Sequence, residues 1–178
     1  MGKRIQKKEI IREILFFLLK FNLLLIPFYA VIYFDVNFYS FQEWFAGFIG
    51  FMLKMLGYSP DVSGIFIYVK DLAVDISRDC VGWKSIYSLF ALVLASPGIL
   101  KNKLKFLIKW VPALFLFNIF RVLTAIIIGL KLGGHYLELF HNIIWQEAVI
   151  LMIVGVWYLW MKKDIRFQTP NKLNKEKQ

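Results

Sequence analysis

Cysteine, histidine and acidic residues are all scarce in this chain, and each shortage excludes something. A single cysteine, Cys80, excludes an intrachain disulfide. With two histidines and no second cysteine, the chain lacks the clustered nitrogen and sulfur ligands of a typical metal site. It also lacks a glycine-rich phosphate-binding loop. We therefore expect neither a bound metal nor a cofactor.

Acidic residues number 12 against 22 lysines and arginines, which gives a net charge of +10. Such an excess can indicate nucleic-acid binding, but here its distribution argues against it. Basic clusters at 1–13, 101–109 and 162–177 lie beside apolar runs, as the positive-inside rule of membrane proteins requires. The sequence therefore predicts no nucleic-acid partner.

Apolar residues are abundant. Hydrophobic residues make up 59% of the chain and aromatic residues 18%, and the mean hydropathy is +0.60. A soluble domain of 178 residues could not hide that much apolar surface from water. The composition predicts a multi-pass membrane protein. The basic start followed by an apolar run resembles a signal peptide, but no small-residue cleavage pattern follows. We therefore interpret it as a retained first span.

Apolar runs predict spans at 14–34, 106–130 and 143–161. The short helix over 83–97 is a fourth membrane helix, which dips from the outer interface rather than standing upright and leads to the inner loop at 101–109. The run 41–57 is at the lower limit of length for a span. If it crossed, the basic cluster at 101–109 would lie outside the cell, against the positive-inside rule. We therefore favour a helix in the outer interface, although crossing stays open.

A short β-hairpin is predicted between these helices. Residues 65–69 and 72–76 alternate in polarity around Lys70-Asp71, whereas the preceding residues 58–63 are typical of turns. Charged positions place the hairpin on the outer surface.

The predicted fold is an all-α, multi-pass membrane protein. It is a bundle of four to six membrane helices, with a short extracytoplasmic β-hairpin before Cys80. Residues 1–163 form a single integral membrane domain, and residues 164–178 form a polar, basic tail that we expect to be disordered. Both termini are expected in the cytoplasm of a cell-membrane protein.

Cys80 lies where the hairpin meets the helix. A thiol at a helix N-terminus is near the positive end of the helix dipole, which favours the reactive thiolate. The alternative is that Cys80 is a small buried apolar residue. Lys84 either lowers the pKa of the thiol or extends to the surface, and we favour the surface.

Arg121 lies about 15 residues into its span, roughly 22 Å from the inner loop, and so in the outer third of the membrane. A charge there costs about 2.5–3.5 kcal/mol, so such residues have a partner or a task. Arg121 has a structural and a functional interpretation. In the first it extends outward or pairs with Glu138, and in the second it binds an oxyanion or carboxylate while Asn118 orients its N–H donors.

His141 follows Glu138 by about one helical turn. It is either an interfacial histidine or a proton acceptor oriented by that carboxylate.

With four spans, three reactive side chains share the outer side of the membrane. Cys80 could act as nucleophile, Arg121 as charge stabiliser and His141 as general acid and base. The sequence therefore predicts an active site at the extracytoplasmic face.

Three short runs resemble motifs of the exosortase/archaeosortase family. They are DCVGWKS at 79–85, NIFRV at 118–122 and ELFH at 138–141. The family motifs are Cys-x-Gly at a helix start, Asn-x-x-Arg in the next long span and His at the start of the last. Order and spacing match over about 41–160. Val81 stands where many members have serine.

The resemblance implies that Cys80, Arg121 and His141 are catalytic and that Asn118 and Glu138 support them. It implies a membrane cysteine protease-transpeptidase that cleaves the C-terminal sorting tails of secreted proteins. Such a tail carries a short motif, one hydrophobic span and a basic end. The new C-terminus would pass through a Cys80 thioester to a lipid or another nucleophile. The implied partners are tailed secreted proteins and membrane lipid.

A non-enzymatic role is the alternative. A small membrane protein of this kind could form a channel-like or chaperone-like assembly, and Cys80 would then be a packing residue. A transporter has less support, because one charge within four spans is little for a transport path.

Overall fold

The computed structural model describes residues 2–133 and 145–175, with side chains described for 11–133 and 145–162. The described chain forms five α-helices, three β-strands and one 3-10 helix. In chain order they are α1 (Gly2–Tyr33), α2 (Tyr39–Met55), β1 (Asp61–Ser63), β2 (Phe66–Val69), β3 (Leu72–Asp75), the 3-10 helix (Arg78–Val81), α3 (Trp83–Ala95), α4 (Leu100–Leu132) and α5 (Trp145–Lys175). The mainly helical fold expected from the sequence is confirmed.

Two of the described helices are long and apolar enough to cross a membrane. They are Ile11–Tyr33 within α1 and Leu100–Leu132, with mean hydropathies of 2.1 and 2.2. Helix α3 is apolar but has only 13 residues. The predicted span 143–161 begins outside the described residues. Its described part lies in α5, which is not among the described helices that are long and apolar enough to cross a membrane. Two of the predicted membrane helices are therefore found, and the size of the bundle stays a prediction.

The chain divides into two compact units. One comprises residues 1–36, 87–110 and 154–178, and the other comprises residues 37–86 and 111–153. Within the first unit, the Tyr87 hydroxyl donates a hydrogen bond to the Leu24 carbonyl at 2.6 Å. The indole of Trp157 donates to the Ser96 hydroxyl at 2.8 Å. The rings of Phe106 and Trp160 meet edge to face, with centroids 5.3 Å apart. Aromatic side chains thus join the segments of this unit.

The second unit contains an antiparallel sheet with strand order β1-β2-β3. The predicted hairpin is confirmed, since Val69 pairs with Leu72 across Lys70-Asp71. Strand β1 lies within residues 58–63, where only turns were predicted. Its Asp61 pairs with Tyr68 of β2. A three-residue strand with polar ends is too short to show alternation in the sequence.

Helix α2 covers one face of the sheet. Phe45, Ile49 and Leu53, spaced four apart and therefore on one side of the helix, are fully buried. They share a core with Ile67 of β2 and with Ile119, Val122 and Ile126 of α4. The same core holds Cys80 and Val81, so the sheet, α2 and α4 together fix the position of the 3-10 helix.

Helix α5 continues to Lys175, beyond residue 164, from which we predicted a disordered tail. The tail has a mixed polar composition, in which lysine, arginine and glutamine alternate with asparagine, threonine, aspartate and one proline. The disorder of the tail therefore stays a prediction.

Candidate active site

Cys80 lies in the 3-10 helix, which Ile76 and Ser77 connect to β3. Its backbone N–H donates to the Ser77 carbonyl at 3.0 Å, and its Sγ lies 3.4 Å from the Ser77 hydroxyl. The side chain is 6% exposed. Cys80 therefore does not open α3, as the sequence suggested, because Gly82 separates the 3-10 helix from the start of α3 at Trp83.

Helix α4 holds Cys80 through a side-chain amide. The Asn118 Nδ2 donates to the Cys80 carbonyl at 2.7 Å, and the Arg121 Nη1 donates to the Asn118 Oδ1 at 3.3 Å. Asn118 is 3% exposed and Arg121 is 9% exposed. The three-residue spacing that placed both side chains on one helical face thus produces a direct contact. The amide of Asn118 links the cysteine to the guanidinium.

Gly82 permits this close approach. Its φ of 78° lies in the left-handed region, which disfavours residues with a side chain. A Cβ added at Gly82 would lie 2.8 Å from the Asn118 Cγ. Glycine is therefore required here both by backbone conformation and by space. This gives a physical reason for a glycine two residues after the cysteine.

A cavity of about 140 Å³ lies beside Cys80. Its lining residues come from β3 and its continuation, from the 3-10 helix and from α4, and they are Ala73, Val74, Asp75, Ile76, Cys80, Val122, Ala125 and Ile126. Asp75 and Cys80 supply its polar side chains, and the remaining lining side chains are apolar. A small apolar group can therefore reach the cysteine.

A sequence model of the transmembrane exosortases matches residues 8–161. This chain belongs to the transmembrane exosortase family. The match includes most of α1, the hairpin, Cys80 and α4, so it extends beyond the segment of about 41–160 that contains the three motifs. A comparison with curated proteins gave no match, and a comparison with solved structures gave none either.

Burial raises the pKa of the exosortase thiol above its ordinary value. The hydrogen bond from Ser77 and the positive charge of Arg121 act in the opposite direction, but burial dominates. Burial thus disfavours the thiolate that we expected from the helix dipole. The expectation was wrong because a pattern of neighbouring residues does not show how deeply a thiol is buried.

Lys84 forms an ion pair with Asp79 at 2.6 Å, and both side chains are nearly half exposed. Because solvent screens this pair, it contributes little to stability. The surface position that we favoured for Lys84 is confirmed.

The structure brings three of the predicted exosortase site residues together, namely Cys80, Asn118 and Arg121. Glu138 and His141 lie outside the described residues. Sequence reasoning missed Ser77, whose hydroxyl meets the thiol. Its position three residues before the cysteine was the available signal, because one turn of a 3-10 helix brings residues i and i+3 together.

Proposed function

We propose that this exosortase is a membrane cysteine transpeptidase that cleaves the C-terminal sorting tails of secreted proteins. One observation carries the proposal, which is the buried link from Cys80 through Asn118 to Arg121. A guanidinium inside a membrane helix is costly, so it needs a partner or a task. Stabilising negative charge at the only thiol of the chain is such a task.

In the proposed reaction, the Cys80 Sγ gives its proton to His141 and attacks the carbonyl carbon of the scissile peptide bond. Arg121 stabilises the oxyanion. The carbon–nitrogen bond then breaks, and His141 returns the proton to the leaving amine of the tail. The remaining thioester is attacked by an amine or by water, which forms an amide or an acid and regenerates the thiol. The role of His141 rests on the family resemblance.

The proposed topology places this reaction at the outer surface. Both termini and the basic cluster at 101–109 lie in the cytoplasm, and the sheet with Cys80 lies outside. A substrate anchored by one hydrophobic span presents its scissile bond at that depth. Membership of a transmembrane family and the two apolar spans support this arrangement.

The test is co-expression with a secreted reporter that ends in a motif, a hydrophobic span and a basic end. The tail is taken from a protein encoded beside the exosortase gene. Cys80→Ala and Cys80→Ser should reach the membrane at normal levels and lower cleavage by about 10³-fold or more. Arg121→Lys keeps the charge but loses the planar fork, and we expect a loss of about 10²-fold. Unchanged cleavage by both cysteine variants would refute the proposal.

A further inference from the structure

We propose that the substrate binds as an additional strand on the outer edge of β3 and places one apolar side chain in the cavity beside Cys80. This inference rests on the proposed transpeptidase function and adds how the enzyme recognises its substrate. It is carried by the hydrogen-bond register of the sheet and by the position of the cavity.

The register shows which main-chain groups of β3 face away from the sheet. The Ile76 N–H donates to the Ile65 carbonyl at 2.9 Å, which fixes one hydrogen-bonded pair. Because such pairs alternate in antiparallel strands, the next are Ile67 with Val74 and Val69 with Leu72. The N–H and C=O groups of Ala73 and Asp75 therefore point to the outer edge.

That outer edge is open within the part of the chain that the structure describes. Sheet order makes β3 an edge strand, and both Ala73 and Asp75 are exposed. No described backbone hydrogen bond beyond the sheet uses either residue. An edge with outward N–H and C=O groups is a template for another extended chain.

The cavity lies along this edge and not over one face of the sheet. Successive side chains of a strand point to opposite faces, yet the four consecutive residues 73–76 all line the cavity. Val122, Ala125 and Ile126 of α4 form the opposite wall, and Cys80 lies at the same cavity. A chain paired with β3 would therefore run beside the thiol.

The size and chemistry of the cavity restrict its occupant. An engineered apolar cavity of about 150 Å³ holds one benzene molecule, so about 140 Å³ suits a single side chain of medium size. A helix about 10 Å wide cannot enter, so the hydrophobic span of the tail must lie elsewhere. The apolar walls favour an aliphatic side chain, and Asp75 at the cavity disfavours an acidic one. Main-chain pairing with a single side-chain pocket gives a short recognition motif.

The probes are acetylated tetrapeptides that end in a chloromethyl ketone. Three residues of each peptide are alanine, and the fourth is valine, leucine, phenylalanine, lysine or glutamate. In the labelling step the Cys80 thiol gives its proton to the buffer, the Sγ bonds to the methylene carbon and chloride leaves. The full-length protein in detergent is labelled, and mass spectrometry gives the rate at Cys80 relative to that of iodoacetamide. We expect valine or leucine to react at least about tenfold faster than glutamate, and N-methylation of the pairing amides to lower the rate about tenfold.

A matched pair of proline variants tests the strand edge. Ala73→Pro removes an outward N–H beside the cavity. Val62→Pro removes an outward N–H from the opposite edge, since Asp61 and Ser63 are the β1 residues that bond to β2. We expect Ala73→Pro to lower the ratio of peptide labelling to iodoacetamide labelling about tenfold, and Val62→Pro to leave the ratio unchanged.

The outcomes separate the two proposals. If neither N-methylation nor Ala73→Pro changes the rate at which Cys80 reacts with the peptides, strand addition is refuted. The assignment of Cys80 as the nucleophile is then unaffected. Faster labelling by fatty-acyl chloromethyl ketones than by any peptide would assign the cavity to lipid, which also refutes strand addition. A Cys80 that resists every reagent refutes the proposed function itself.

Discussion

At the scale of single residues, Gly82 permits a test that separates backbone strain from steric contact. Gly82→Ala puts a side chain into the left-handed region and pushes it against Asn118, whereas Gly57 has φ 87° and nothing within 4 Å of an added Cβ. We expect Gly57→Ala to cost about 1–2 kcal/mol. Gly82→Ala should cost about 1–3 kcal/mol more, because a shifted Asn118 leaves the Cys80 carbonyl without its donor.

Thermal unfolding of the detergent-solubilised protein measures both losses. Gly57→Ala is the control, since it carries the same backbone penalty without the contact. Equal losses of stability in the two variants would show that the close contact between Asn118 and Gly82 does not contribute to stability. A larger loss in Gly82→Ala that also slows alkylation of Cys80 would show that this contact positions the cysteine.

Single residues were predictable where a regular spacing determines geometry. Asn118 and Arg121 lie three apart on a helix, so their contact follows from the helical repeat alone. The raised pKa of the Cys80 thiol could not be predicted from the sequence. It depends on burial by α2, the sheet and α4, most of which are distant from Cys80 in sequence. Ser77 was missed for a related reason, since only the 3-10 turn brings its hydroxyl to the thiol.

At the scale of elements, Lys103 caps the C-terminal end of α3. Its Nζ donates to the carbonyls of Leu94 at 2.9 Å and Ser96 at 2.5 Å, and the side chain is 8% exposed. The last carbonyls of a helix lack partners within it and carry partial negative charge, so a cation stabilises them. Lys103→Met keeps the apolar stem but leaves these carbonyls without their donor.

We expect Lys103→Met to lower the free energy of unfolding by about 1–3 kcal/mol. Lys105→Met is the matched control, because Lys105 is an exposed residue of the same helix and should change stability by less than about 0.5 kcal/mol. Chemical denaturation in mixed micelles compares the two. Similar midpoints for both variants would show that the carbonyls find water instead of Lys103.

Elements were predictable in proportion to their length and regularity. The hairpin followed from alternation on both sides of Lys70-Asp71, and the helices from long apolar runs bounded by turn residues. Strand β1 did not follow, because three residues cannot show a period of two. Its formation depends on pairing with β2, which is a tertiary contact.

At the scale of the whole molecule, composition predicted membrane association, and family membership confirms a transmembrane protein. The number of spans does not follow as directly. Helix α2 has 17 residues, one face of which is buried in a protein core, so hydropathy alone leaves its relation to the membrane open. Charge favours the non-crossing arrangement, because, with the other helices crossing, only a non-crossing α2 places all three basic clusters on one side.

Single-cysteine labelling tests that arrangement across the whole chain. In a Cys80→Ala background, Asp71→Cys marks the exposed turn of the hairpin and Lys105→Cys marks the basic start of α4. If α2 does not cross, a membrane-impermeant maleimide should label position 71 in intact cells and position 105 only after permeabilisation. Cys80→Ala without an added cysteine controls for background. If α2 crosses, both results reverse together, and Cys80 would then face the cytoplasm, on the opposite side from the secreted proteins that the proposed reaction requires.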